Sequence, residues 1–399
     1  MDILLEWFGY LARWGHVLTA ITWIGTSFYF NWLDLSDRKP EVKTLMPNVQ
    51  GQLHEMHGGS YYYHERYWPT EPPKRLLNHS GPAQLTFLTG LLLIVYIYWL
   101  GADVYLLDPS GNSPSLWVSI LLSALILFLP YPIYDQVCKR TDNNVVVLVF
   151  SAVLILVTGY LALQFFSPRA AFVHVGAMLG TIMALNVHFV IVPNHIKMHT
   201  QVRNGELADL AYHKQAKRRS QHNNYYTLPV LFSMLSAHFP LAYGNDYGFL
   251  TLFMVMGGGF LLRYARNRKF VTDKTDLGAG LLAILFLAGG IALTYIPATG
   301  EVQDMSAFTS DEEKAAFEIV QQRCAVCHSA RPTMEGFASA PAGVRFDTVA
   351  QMTALKDRIY TQAIAIDIMP PGNLTEMTDD ERSRLGQWLI SIGAKNLDE

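Results

Sequence analysis

Eight apolar runs, each close to the ~20 residues that carry a helix across hydrocarbon, divide the first 297 residues of this chain. They fall at about Glu6–Leu33, Pro82–Leu100, Ser115–Tyr134, Val145–Phe166, Ala171–Val192, Tyr225–Tyr243, Tyr247–Tyr264 and Leu277–Tyr295. A backbone in lipid must satisfy its own N–H and C=O groups, so runs of this length predict packed helices. The expected fold is therefore all-α, with an eight-helix transmembrane bundle over residues 1–297 followed by a small all-α domain. The first run does not read as a signal peptide, because it lacks a basic n-region, runs too long and has no A-x-A-like cleavage site.

The chain is 51% hydrophobic and 16% charged with a net charge of -3, but its charges are laid out unevenly. The loops Asp34–Gly81, Asp135–Asn144, Pro193–Asn224 and Ala265–Asp276 hold nearly all the basic residues, whereas Gly101–Pro114 and Gly244–Asp246 hold none. That asymmetry predicts that the basic loops are cytoplasmic. It also accounts for the basic runs without any nucleic-acid partner.

After the bundle comes a short linker, Ala298–Ala307, and then Cys324-Ala325-Val326-Cys327-His328. C-x-x-C-H reads as covalent haem c attachment: Cys324 and Cys327 form thioethers and His328 ligates the iron. Ser310 caps a predicted helix Asp311–Arg323 that delivers the motif, with acidic residues in its first turn. Downstream, Met369 precedes Pro370-Pro371, which cannot continue a helix, and it is the expected sixth ligand, in competition with Met334, Met352 and Met377. A helix Asp379–Ile392 completes a cytochrome c domain over 308–399. Zinc binding or a disulfide are the other uses of the two cysteines, and Cys138 reads as a packing residue. Haem c is attached outside the bacterial cytoplasmic membrane, so this domain is expected in the periplasm. With eight spans the N-terminus lies there too, in agreement with the loop charges.

Ionisable groups inside spans mark function. His16, His174, His188 and His238 fall within predicted spans, with His79 and His222 at nearby ends. His174 and His188 are fourteen residues apart, on one helix face and roughly 21 Å apart, like the paired ligands of b haems. One or two b haems on these histidines would form a wire toward the haem c, although a second His-x13-His helix is absent.

The 34–81 segment is expected to be a long cytoplasmic loop without a fold of its own, a kind that tends to be functional. Between Gln52 and Trp68 it offers His54, His57 and His64, Glu55 and Glu65, Arg66 and several aromatics. Gly58-Gly59 permits close backbone approach to a ligand. Such a set suits a planar heteroaromatic anion that stacks on rings and exchanges protons with His or Glu. An interfacial aromatic belt with solvated charges uses the same residues.

Taken together, the eight spans, Met56-His57-Gly58-Gly59 and the terminal CAVCH…MPPGN pattern resemble the bacterial membrane-bound urate hydroxylases, in which a membrane domain is fused to a cytochrome c. The resemblance covers the whole chain. It implies oxidation of urate to 5-hydroxyisourate with oxygen from water and no peroxide, the electrons passing through haem c to a soluble cytochrome or terminal oxidase. From the chemistry, His57 is the first-choice base, then His64 or Glu65, with His54 alongside and Arg66 holding the anion. Two other readings stay open. One is a non-catalytic membrane cytochrome subunit fed by quinol or a dehydrogenase, and the other is a cytochrome anchored to a transporter-like bundle.

Overall fold

A computed structural model describes residues 2–77, 79–108, 113–296, 300, 302–337 and 339–394. Parts of the expected linker (298, 299 and 301) and of the expected cytochrome domain (338 and 395–399) lie outside the described residues. Eight long helices occupy the described chain up to Thr294: α1 (Asp2–Ser36), α2 (Ser80–Trp99), α3 (Leu116–Arg140), α4 (Asn144–Phe165), α5 (Pro168–Arg203), α6 (Leu210–Ser236), α7 (Gly248–Thr272) and α8 (Leu277–Thr294). Six of these, α2 to α5, α7 and α8, are long and apolar enough to cross a membrane. The other two are more polar; the first half of α6 alone carries Lys214, Lys217, Arg218 and Arg219.

Small residues let the helices approach closely. A Cβ on Gly258 of α7 would meet the Leu287 side chain of α8 at 2.7 Å, the packing mode of helices that lack a hydrophobic drive between them. The buried apolar side chains form clusters around α5, which supplies Phe172, Val175, Met178, Leu179 and Ile182. Apolar side chains also face outward, among them Ile3, Leu4, Trp7, Trp14 and Ile21 of α1, and lipid would cover such a surface.

Three segments depart from expectation. First, the fifth helix does not stop at Val192 but runs to Arg203 through Pro193. A π-helical turn at Val187–Ile191 precedes the proline, the local adjustment that tolerates a missing N–H. Second, the sixth helix ends at Ser236 instead of Tyr243, so His238 lies in a turn before a short helix at Pro240–Tyr243 and not within a span. Third, the chain is not all-α: the 34–81 segment folds as an antiparallel hairpin of β1 (Val49–His57) and β2 (Ser60–Tyr67). Gly58 and Gly59, at φ 58° and 81°, form its two-residue turn. Positive φ at both central positions is the conformation such a hairpin requires. These glycines thus serve the turn, and His54 and His57, three apart on a strand, face opposite sides of it.

Beyond the bundle, α9 (Asp311–Arg323) is capped by Ser310, which accepts from the Glu313 N–H at 3.1 Å. It packs with α10 (Asp379–Ser391), which opens with a Thr378/Glu381 capping box. Phe317, Val320, Met352, Leu385, Trp388 and Leu389 fill the core between them. This region touches the turn between α6 and α7, where Arg345 donates to the Gly244 carbonyl at 2.9 Å and lies 3.5 Å from Asp246. The hairpin sits near the opposite end of α6, with Trp68 edge-on to His213 at 4.9 Å. Because α6 has 27 residues, it separates the two by roughly 40 Å at 1.5 Å per residue.

Candidate functional site

A cleft of about 470 Å³ opens beneath the hairpin, between β1, β2 and the ends of α1, α5 and α6. Strand pairing brings its walls together. The register sets Leu53 opposite His64 and Gly51 opposite Arg66, and all four line the cleft. Gly51 is required for shape: a Cβ there would lie 1.9 Å from the Asp37 carboxylate, which needs that space to reach Arg66.

Of the residues expected to be catalytic, the cleft gathers His64, Glu65 and Arg66. His57 is exposed at the hairpin tip and His54 stacks at 4.8 Å on Tyr63, and neither lines the cleft. Glu65 accepts from the backbone N–H groups of Leu45 and Met46 at 2.8 and 2.9 Å, which ties down the 37–48 segment. His64 Nε2 bonds Glu55 at 2.8 Å, and Glu55 accepts from the Tyr29 hydroxyl at 2.5 Å. The Tyr29 bond, together with His64, holds the Glu55 carboxyl below the usual glutamate range. The result is a chain Tyr29–Glu55–His64 in which a carboxylate orients an imidazole, as a base needs.

The cations of the cleft are already matched. Arg66 Nε lies 2.7 Å from Asp37 and Lys217 lies 2.8 Å from Asp34. Two residues that sequence reasoning passed over, His195 and His213, also line the cleft.

Deeper in the bundle the expected haem b ligands are scattered. His174 is fully buried, but Nε2 bonds Ser123 at 2.8 Å and Nδ1 bonds the Ala170 carbonyl at 2.7 Å. Its ring packs between Tyr98 and Phe166. His222 bonds the Tyr134 hydroxyl at 2.6 Å, and His16 bonds Thr89 at 3.1 Å. His188, His238 and His79 are exposed. A haem on His174 would have to break its Ser123 bond.

At the other end, Cys324 caps α9, and a single turn returns the His328 N–H to the Cys324 carbonyl at 2.8 Å. The two cysteines are not joined in a disulfide. His328 Nδ1 donates to the Val344 carbonyl at 3.1 Å, which fixes the ring and leaves Nε2 as the lone-pair nitrogen. Burial pushes this imidazole's pKa below its usual value, which favours the neutral form that would ligate iron. Met352 and Met377 are core residues and Met334 contacts Cys327 Sγ at 3.4 Å. Met369 is half-buried, and its carbonyl is held by Arg382 at 2.9 Å. The donor set fits a haem c. Among the described residues, no group of three or more His, Cys, Asp or Glu could hold a separate metal ion.

Residues 2–294 match the urate oxidase N-terminal family. The chain belongs to that family. Its match takes in all eight long helices and the hairpin, so the cleft beneath β1 and β2 is part of the urate oxidase N-terminal region. The Cys324–His328 turn lies outside it. No curated protein and no solved structure matches the chain. Membership makes this a urate-oxidase-related chain, and its six apolar helices are consistent with a membrane protein.

Proposed function

We propose that this chain is a membrane-bound urate hydroxylase that oxidises urate to 5-hydroxyisourate and passes the electrons to a haem c held by Cys324, Cys327, His328 and Met369. The observation that carries the reading is the joining, in one chain, of a urate oxidase family region with a C-x-x-C-H turn whose histidine is held through Nδ1. The reaction balances as urate plus water giving 5-hydroxyisourate, two protons and two electrons. The oxygen comes from water, so no O2 is reduced and no peroxide forms.

Urate enters the cleft beneath the hairpin, where His64, oriented by Glu55, takes a proton from the purine or from the attacking water. A haem c held by Cys324, Cys327, His328 and Met369 would supply one-electron acceptance and pass electrons to a soluble cytochrome or terminal oxidase, and across the roughly 40 Å from the cleft the electrons would need an intermediate carrier. The bundle sits in the bacterial cytoplasmic membrane, with the basic hairpin end cytoplasmic and the C-terminal region periplasmic.

The test is anaerobic. Urate is added to the purified, oxidised full-length chain and the haem c α-band is followed. Reduction of two haems per urate consumed, with 5-hydroxyisourate as product, is expected. If urate leaves the band unchanged while a quinol reduces it rapidly, the chain is an electron-transfer subunit and the proposal fails.

A further inference from the structure

Arg263 of α7 is 6% exposed, yet it forms no ion pair with a carboxylate among the described residues. Its Nε donates to Asn224 Oδ1 at 2.9 Å, its guanidinium lies over the Phe28 ring at 3.7 Å, and its Nη2 has no partner. Asn224 of α6 is fully buried. Its Oδ1 also accepts from Asn267 at 2.8 Å, and its own Nδ2 is likewise unpartnered. Three helices therefore converge on one buried positive charge and two unused donors, with no anion to meet them.

The other deeply buried arginine of the bundle shows how unusual this is. Arg219 meets Asp135 at 2.5 Å and Asn186 at 3.0 Å. Buried polar groups are ordinarily satisfied, and each exception calls for an explanation. A buried charge is ordinarily paired.

Space adjoins the network. Asn267 accepts from Asn31 of α1 at 3.2 Å, and both line a small void of about 70 Å³. That void shares Asn31 and Gln221 with the cleft beneath the hairpin. The cleft's own cations are spent on Asp34 and Asp37, so an anion entering there gains most by moving inward.

We infer that Arg263 and Asn224 form the seat for the anionic edge of the substrate, a planar heterocycle with adjacent carbonyl or deprotonated ring-nitrogen acceptors. Arg263 Nη2 and Asn224 Nδ2 donate to two neighbouring acceptors, and Phe28 fixes the plane of the guanidinium. Separation of the Asn31–Asn267 bond opens the seat to the cleft. The inference rests on urate as substrate and assigns Arg263 the role first expected of Arg66.

The experiment uses full-length protein and urate in two readouts: thermal unfolding with and without urate, and the KM for anaerobic urate-driven haem c reduction. Asn224→Asp places a carboxylate against Arg263. It is expected to raise the melting temperature without ligand, abolish the urate-induced shift and raise KM about tenfold or more, the scale of one charge-assisted hydrogen bond. Arg263→Lys, which keeps the charge but loses the second donor, is expected to raise KM by a similar factor. Reduction of haem c by ascorbate stays unchanged in both. If a folded variant of either kind keeps KM within twofold of wild type, the seat is wrong and the urate reading survives. If urate neither shifts nor reduces the wild-type protein, the urate reading itself falls, and the seat with it.

Discussion

The Arg219–Asp135 pair inside the bundle makes a quantitative demand on stability. Arg219 is 5% exposed and its guanidinium lies 2.5 Å from Asp135. Replacing Asp135 by leucine strands that charge. Breaking one side of a buried pair costs about 3–5 kcal/mol, because the remaining ion keeps its desolvation penalty and loses its partner. The second cation on Asp135, Lys139 at 2.6 Å, is 63% exposed and contributes little to the loss. At about 2 °C per kcal/mol for a large domain, Asp135→Leu is expected to lower the melting temperature by ~6–10 °C. The double variant Asp135→Leu/Arg219→Leu removes both charges and is expected to recover most of that loss, since well-packed apolar replacements of buried pairs are near neutral. Asn186, which accepts from Arg219 at 3.0 Å, keeps its bonds to Tyr134 and Asn223 in the double variant and limits the collateral damage. The assay is tryptophan fluorescence on heating in detergent, at one scan rate because unfolding of such chains is kinetically controlled. A single variant that melts within about 2 °C of wild type, or a double variant that melts as low as the single, would show that water reaches Arg219 and would refute the reasoning.

Three further outcomes are expected. Glu55, whose pKa is depressed chiefly by the Tyr29 hydroxyl, contributes stability that is complete above the ordinary glutamate range and disappears as pH falls through its lower folded value. Hydrogen exchange in the hairpin should therefore rise only in acid, and Tyr29→Phe should move that rise to higher pH. Gly51→Ala forces a Cβ onto the Asp37 carboxylate, 1.9 Å away, and is expected to part Asp37 from Arg66 at a cost of about 1–3 kcal/mol, read by thermal unfolding and by a weakened urate KM. Ser310→Ala removes the cap of α9 and Thr378→Ala that of α10. Each should destabilise the C-terminal region by about 1 kcal/mol, seen in the haem-band melting curve and not in the urate KM.

How much of the fold was legible depended on which residues signalled it. Long apolar runs marked where the eight long helices fall, although only six of them, α2 to α5, α7 and α8, are long and apolar enough to cross a membrane. Their ends were less legible. Pro193 read as a boundary and yet sits inside α5, because a π turn absorbs its missing hydrogen bond. Pro240, by contrast, does follow the end of α6 at Ser236. The hairpin was missed for a related reason. Its strands carry His, Glu and Tyr on both faces and lack the apolar alternation that announces a half-buried strand. The readable signal was Gly58-Gly59 itself, a two-residue turn with two β-prone flanks, and it was read as a ligand approach instead.

The candidate site was legible by residue type but not by pairing. Arg66 looked like the anion's partner because it stands among aromatics and histidines, and the structure gives that arginine to Asp37. His57 was the first choice of base from its chemistry, and the turn that Gly58 and Gly59 make leaves it exposed and outside the cleft lining. Arg263 attracted no notice at the end of an apolar run, one turn before a basic loop, although an arginine inside a predicted span is itself a signal. What separates these residues is whether a carboxylate from a distant part of the sequence meets them. Asp37 reaches Arg66 across 29 positions and Asp135 reaches Arg219 across 84, while no carboxylate among the described residues pairs with Arg263. Composition supplies the charges, but the fold decides which of them remains to be answered by a ligand.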